Sequence, residues 1–195
     1  MGKGKEMLLK AVMLDRDGVI NFDSPDYILA ADQWQPVPGA LEAIAQLHKA
    51  GIKVTIVSNQ SGLGRGMMSQ GSFNAIHAKM MLAIEQAGGF ISHVSYCPHG
   101  PDDNCVCRKP KPGMVLETLA ALGLSEKPDQ ALFIGDSIRD VEAAHAAGVT
   151  AMLVQSGYGD AETILQKSRF VQPDIQAHGN LAEAVSAILE DAVQC

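Results

Sequence analysis

Short apolar runs that end in polar or glycine-rich turns alternate along this chain with longer segments whose apolar residues return every three or four positions. The run Ala11-Val12-Met13-Leu14 stops at Asp15-Arg16-Asp17-Gly18, as a strand must where its chain turns. Residues 39–50 carry apolar positions at helical spacing and end at Gly51, which suits a helix terminus. Residues 52–57 are β-branched almost throughout and predict a buried strand. Further along, the pattern predicts helices over 73–87, 113–122, 140–147 and 181–189, and strands over 91–96, 131–134 and 151–154. The Asp- and Pro-rich stretch 21–38 is a loop, too short for a cap domain, and the polar stretch 157–174 shows no readable period.

Strands alternating with helices, at crossover lengths near thirty residues, predict an α/β fold. The expected architecture is a Rossmann-like three-layer sandwich with a central parallel sheet and no cap. At 195 residues, 47% apolar and 5% aromatic, the chain is expected to form a single domain over 1–195 with close helix–sheet packing. A net charge of −7 without a basic run argues against a nucleic acid or an anionic membrane as partner. Lys3, Lys5 and Lys10 flank only a short apolar segment with no cleavage site behind it. With no apolar stretch long enough to span a bilayer, the protein is expected in the cytoplasm. No apolar face is left over for a partner, so a monomer is expected.

Chemistry collects at the ends of the predicted strands. Residues i and i+2 of an extended chain face the same side, so Asp15 and Asp17 can converge beyond the first strand, where open α/β sheets bind ligands. Two carboxylates this close need a shared proton or a cation. Ser58 and Asn59 follow the second strand, Arg108 and Lys109 follow the third and its loop, and Asp136, with Asp140 four residues on, follows the fourth.

Taken in order, Asp15-x-Asp17-Gly18, Ser58-Asn59, Lys109-Pro110 and Gly135-Asp136-Ser137 through Asp140 resemble the haloacid dehalogenase superfamily over essentially the whole chain. The resemblance implies that Asp15 is a nucleophile forming an aspartyl phosphate. It implies that Asp17 is the general acid and base, and that Ser58 and Lys109 grip the phosphoryl oxygens. Mg²⁺ would be held by the Asp15 and Asp136 carboxylates and the main-chain carbonyl of Asp17, while Asp140 orients this shell. Gly18 lets the chain turn away.

Cys97-Pro98-His99 and Cys105-Val106-Cys107 put three thiols and an imidazole within eleven residues, the ligand set of a closed, structural Zn²⁺ site. Such a site would fix Arg108 and Lys109 beside the cleft. The pattern Cys-Pro-His, then Cys-x-Cys-Arg-Lys-Pro, together with Asp15 to Asn21 and Ser58 to Gly66, is similar to the bacterial D-glycero-D-manno-heptose 1,7-bisphosphate phosphatases. A small phosphorylated sugar is the substrate this implies. Arg108 is then the candidate for a distal phosphate, and Asp23, Ser24, Pro25, Asp26, Asn59, Gln60 and Ser61 are the remaining candidates for substrate contact. Histidinol phosphatase is the enzymatic alternative, and a non-catalytic zinc-loop interaction module the alternative of another class. Trp34 is read as packing for its loop.

Overall fold

The computed structural model describes residues 9–193. Lys3, Lys5 and Cys195 lie outside the described residues. Six strands form one all-parallel sheet: β1 (Ala11–Leu14), β2 (Lys53–Asn59), β3 (Ile91–Cys97), β4 (Ala131–Gly135), β5 (Thr150–Val154) and β6 (Gln176–His178). Their order across the sheet is β3-β2-β1-β4-β5-β6. The chain therefore winds outward in one direction through β2 and β3 and in the other through β4 to β6. The reversal falls between β1 and β4, which creates a crevice beyond their carboxyl ends.

Helices cover both faces, and β1 is accordingly buried at every position. Val12 and Leu14 face the core shared with α1 (Ala40–Lys49), α3 (Gln70–Gln86) and α7 (Leu181–Val193). Ala11 and Met13 face the core shared with α4 (Gly113–Leu122) and α5 (Ile138–Ala146). Helix α6 (Ala161–Val171) packs beside α5.

Three elements depart from expectation. Ser61–Gly64 closes into a one-turn helix, α2, inside what reads as a glycine-rich loop. Helix α6 occupies the stretch without a readable period: only Ser168 on it is fully buried, and Phe170 points outward, 90% exposed. Strand β6 is a three-residue edge strand of Gln, Ala and His, with no β-branched residue to signal it. Among the described residues no cap domain follows β1, and no helix is long and apolar enough to cross a membrane.

Candidate active site and metal sites

Register determines what meets in the crevice. Leu14 pairs with Ile56 on one side and Ile134 on the other, so Asp15, Ser58 and Asp136 emerge within a residue or two of the same level. They line a cleft of ≈ 270 Å³ together with Arg16, Asp17, Gln60, Ser61, Arg108, Lys109, Arg139 and Asp140.

Lys109 is the centre of its charge balance. The side chain is 1% exposed, yet its ammonium reaches Asp15 Oδ2 at 3.0 Å, Asp140 Oδ1 at 2.6 Å and the Val57 carbonyl at 2.8 Å. Three acceptors match the three protons of an ammonium. Burial pushes this amine down, but Asp140 and Asp15 outweigh it and raise it above the usual lysine value. Its main chain is clamped by Asn59, whose amide donates to the Lys109 carbonyl and accepts from the Lys109 N–H, both at 3.0 Å. Asn59, a candidate for substrate contact, is thus engaged in positioning Lys109.

Asp15 accepts the Arg16 N–H at 2.7 Å on its other oxygen. Burial raises its carboxyl to about 6 against the pull of Lys109. Asp136 is pushed up to about 8, by burial first and then by Asp140, Asp15 and Asp23. The carboxylates of Asp15, Asp136 and Asp140 offer oxygens that all lie within 4.8 Å of one another. Asp140 is already committed, to Lys109 and, through Oδ2, to the N–H and hydroxyl of Ser137. Three carboxylates thus face one ammonium, which Asp15 and Asp140 share, and this excess of negative charge fits a hard divalent cation. Two glycines pack against the Asp136 carboxylate: a Cβ on Gly157, or on Gly18 at φ +79°, would run into it.

Asp17 turns away from that cluster. Its carboxylate accepts from Arg16 Nε at 3.0 Å and Nη2 at 2.9 Å, from Asn21 Nδ2 at 2.8 Å and from Gln60 Nε2 at 2.9 Å. Its carboxylate is not part of the cluster that could hold a cation. Gln60 also donates to the buried Ser58 hydroxyl at 3.0 Å. Asp23, Ser24 and Pro25 line the cleft as expected, while Asp26 stands outside it, its N–H on Ser24 Oγ at 3.2 Å. Sequence reasoning missed Arg16, Asn21, Tyr27, Ile28 and Arg139. Of these Arg139 carried a usable signal, since it sits in the first turn of the helix that follows Asp136.

Cys97 ends β3, and Cys97, His99, Cys105 and Cys107 bring four donor atoms within 4.8 Å of one another. Cys97 Sγ lies 3.1 Å from Cys107 Sγ, 3.6 Å from Cys105 Sγ and 3.4 Å from His99 Nδ1. A Zn²⁺ with Zn–S of ~2.3 Å separates tetrahedral ligands by roughly 3.5–3.8 Å; the Cys97–Cys105 pair has that spacing, the others lie slightly inside it, and the ligand set fits a closed structural zinc site. Burial and the neighbouring thiols push Cys97 up to about 12, and a cation is what lets three thiolates coexist there. The loop it closes holds the Gly64 N–H on the Pro98 carbonyl at 3.0 Å and Arg108 Nη1 on the His99 carbonyl at 3.0 Å. Cys105→Ser is therefore expected to release the zinc, measured by metal analysis, and to lower turnover by roughly tenfold or more by freeing Arg108 and Lys109.

A family model described as haloacid dehalogenase-like hydrolase matches residues 8–148, and the chain belongs to that family. It is similar to the D-glycero-beta-D-manno-heptose-1,7-bisphosphate 7-phosphatase of Pseudomonas putida, 46% identical over 155 residues, which are 78% of this chain and 86% of that protein. The enzyme of the same name from Bordetella bronchiseptica is 39% identical over 186 residues, 95% of this chain and 99% of that one. The crystal structure of D,D-heptose 1,7-bisphosphate phosphatase from B. bronchiseptica, complexed with magnesium and phosphate, matches at a TM-score of 0.86 and 38% identity, covering 94% of this chain and 99% of the other.

Proposed function

We propose that this chain is a Mg²⁺-dependent phosphatase that hydrolyses the 7-phosphate of D-glycero-β-D-manno-heptose 1,7-bisphosphate, in the synthesis of lipopolysaccharide precursors. The observation that carries the reading is a cleft with Asp15, Lys109 and Asp136 converging, in a chain matched end to end by phosphatases of that name. An Asp15 oxygen attacks phosphorus in line, the ester P–O bond breaks, and the departing alkoxide takes a proton from Asp17. Asp17 then removes a proton from water, which attacks the aspartyl phosphate and returns Asp15 with inorganic phosphate. Ser58 and Lys109 hold the phosphoryl oxygens, Lys109 transferring its hydrogen bond to them as negative charge leaves the Asp15 carboxylate. A bound Mg²⁺, held by Asp15, Asp136 and the Asp17 carbonyl, would neutralise phosphoryl charge.

With no cap, loops must choose the substrate, and besides Lys109 and Arg16, which pair with the cleft's own aspartates, two cations face this cleft, Arg108 on the zinc loop and Arg139 on α5. Both suit a distal phosphate better than the cationic end of histidinol phosphate, and the matched relatives do not favour that alternative. A non-catalytic module is disfavoured by the presence of Asp15, Asp17 and Lys109 together in the cleft. The acidic net charge without a basic run argues against a nucleic acid substrate, and we read the enzyme as a cytoplasmic monomer. Phosphate release should be measured with Mg²⁺ on both anomers of the heptose bisphosphate, fructose 1,6-bisphosphate and histidinol phosphate. The β anomer should lead by an order of magnitude or more; a lead for histidinol phosphate would reject the substrate and keep the chemistry.

Metal binding should be steeply pH-dependent. Asp15 and Asp136 have folded values raised to about 6 and about 8, above their unfolded ones. Without metal, the stability they contribute is full below the ordinary carboxylate range and is lost as pH rises through 6 and 8. Mg²⁺ displaces those protons, so its affinity should climb by up to about tenfold per pH unit in that window. Thermal melts at a fixed Mg²⁺ concentration should show a larger gain in Tm at pH 8 than at pH 6, and the opposite order would contradict the assignment.

A further inference from the structure

Besides Arg16 and Gln60, which line the cleft, Asp17 is held by a residue outside its lining, Asn21. We infer that the buried pair Asn21 and Trp34 is a positioning relay for Asp17, resting on the reading of Asp17 as general acid and base given above. Asn21 is fully buried and Trp34 is 2% exposed. The indole Nε1–H can only donate, so the Asn21 atom 3.0 Å away is its carbonyl oxygen, Oδ1. That single fact fixes the other end of the amide. Asn21 Nδ2 must face Asp17 Oδ1, at 2.8 Å, and it also donates to the Phe22 carbonyl at 2.9 Å. Turned over, the amide would set an oxygen against the carboxylate and push Asp17 off its present orientation.

Both partners are anchored. The Asn21 carbonyl accepts the Gly18 N–H at 2.8 Å, and the Asn21 N–H donates to the Arg16 carbonyl at 3.2 Å, so Asn21 moves only with the loop that carries both aspartates. Trp34 is pinned to α3 by Lys79, whose ammonium donates to the Trp34 carbonyl at 2.9 Å and the Ala31 carbonyl at 2.8 Å and lies 5.7 Å from the indole centroid. The loop 21–38 thus closes one side of the cleft and also passes an orientation from α3 through Trp34 and Asn21 to Asp17. Neither residue lines the cleft; each acts through Asp17.

The test uses the leaving group. An alkoxide leaves only with a proton, whereas p-nitrophenolate leaves without one, so misplacing the acid should slow the sugar ester and spare the aryl ester. The value of kcat/KM reports only steps up to the first irreversible one, which excludes hydrolysis of the aspartyl phosphate. Trp34→Phe and Asn21→Ser, each checked by thermal melting, should lower kcat/KM for the heptose bisphosphate by about tenfold or more and for p-nitrophenyl phosphate by less than about threefold. Should Trp34→Phe fail to fold, Asn21→Ser carries the test alone. Equal losses on both esters, or no loss on either, would overturn the relay. Asp17→Asn is the control: if it too slows both esters equally, Asp17 is not the acid and the relay falls with it. If Asp17→Asn discriminates between the esters and the two relay variants do not, the relay alone is wrong.

Discussion

Asp15→Asn is expected to fold and to lose turnover, if Asp15 is the nucleophile as proposed. The amide keeps the shape of the side chain, but its single oxygen can accept from only one of Lys109 and the Arg16 N–H, which sit on different oxygens of the carboxylate, and it cannot form the bond to phosphorus. The loss in kcat is expected on the order of 10⁴-fold or more, the scale seen when a covalent nucleophile is removed. Stability should change little at neutral pH. Burial holds Asp15 at about 6, so its charge is a strained one there. The amide removes that charge, while Lys109 keeps Asp140 and the Val57 carbonyl. Acid quenching of the parent during turnover should trap phosphate on the protein, and the variant should trap none. Retention of more than about a hundredth of the parent rate would place the nucleophile elsewhere.

What was readable in the chain follows from which residues carry their own signal. A central strand covered on both faces must be apolar throughout, so β1 could be read, and two aspartates beside such a strand stand out because burial makes them costly. The cysteine loop was readable because its ligand set is local in sequence. Helix α6 was hidden because its buried face is weak and Phe170 is exposed; β6 was hidden because an edge strand of three residues needs no special composition. The arrangement around Asp17 was not legible either. Arg16, Gln60 and Asn21 reach it only once the loops are folded, and Trp34, which does pack, also makes a hydrogen bond that no pattern of apolar positions encodes.

Lys109→Met should damage both function and fold, and the pH dependence tells the two apart. Methionine fills a similar volume under the Phe133 ring, whose centroid the ammonium approaches to 5.3 Å, so the loss is one of charge and not of packing. It leaves Asp15 and Asp140 facing each other without a cation, and breaking a buried pair from one side costs about 3–5 kcal/mol. For a chain of this size each kcal/mol lowers Tm by about 2–4 °C, so a drop on the order of 10 °C is expected at pH 8. In the parent, Lys109 opposes the effect of burial on Asp15 and keeps it near 6; without Lys109 the carboxyl rises further. A carboxyl raised in the folded state contributes stability below its unfolded value and loses it as pH climbs through its folded value. The deficit of the variant should therefore be small near pH 4, where Asp15 is protonated, and grow from pH 6 to 8. A deficit constant across that range would mean that Lys109 does not act as the counter-charge of Asp15. Turnover should fall by about 10²–10³ beyond any effect of unfolding, because one donor to the phosphoryl oxygens is gone.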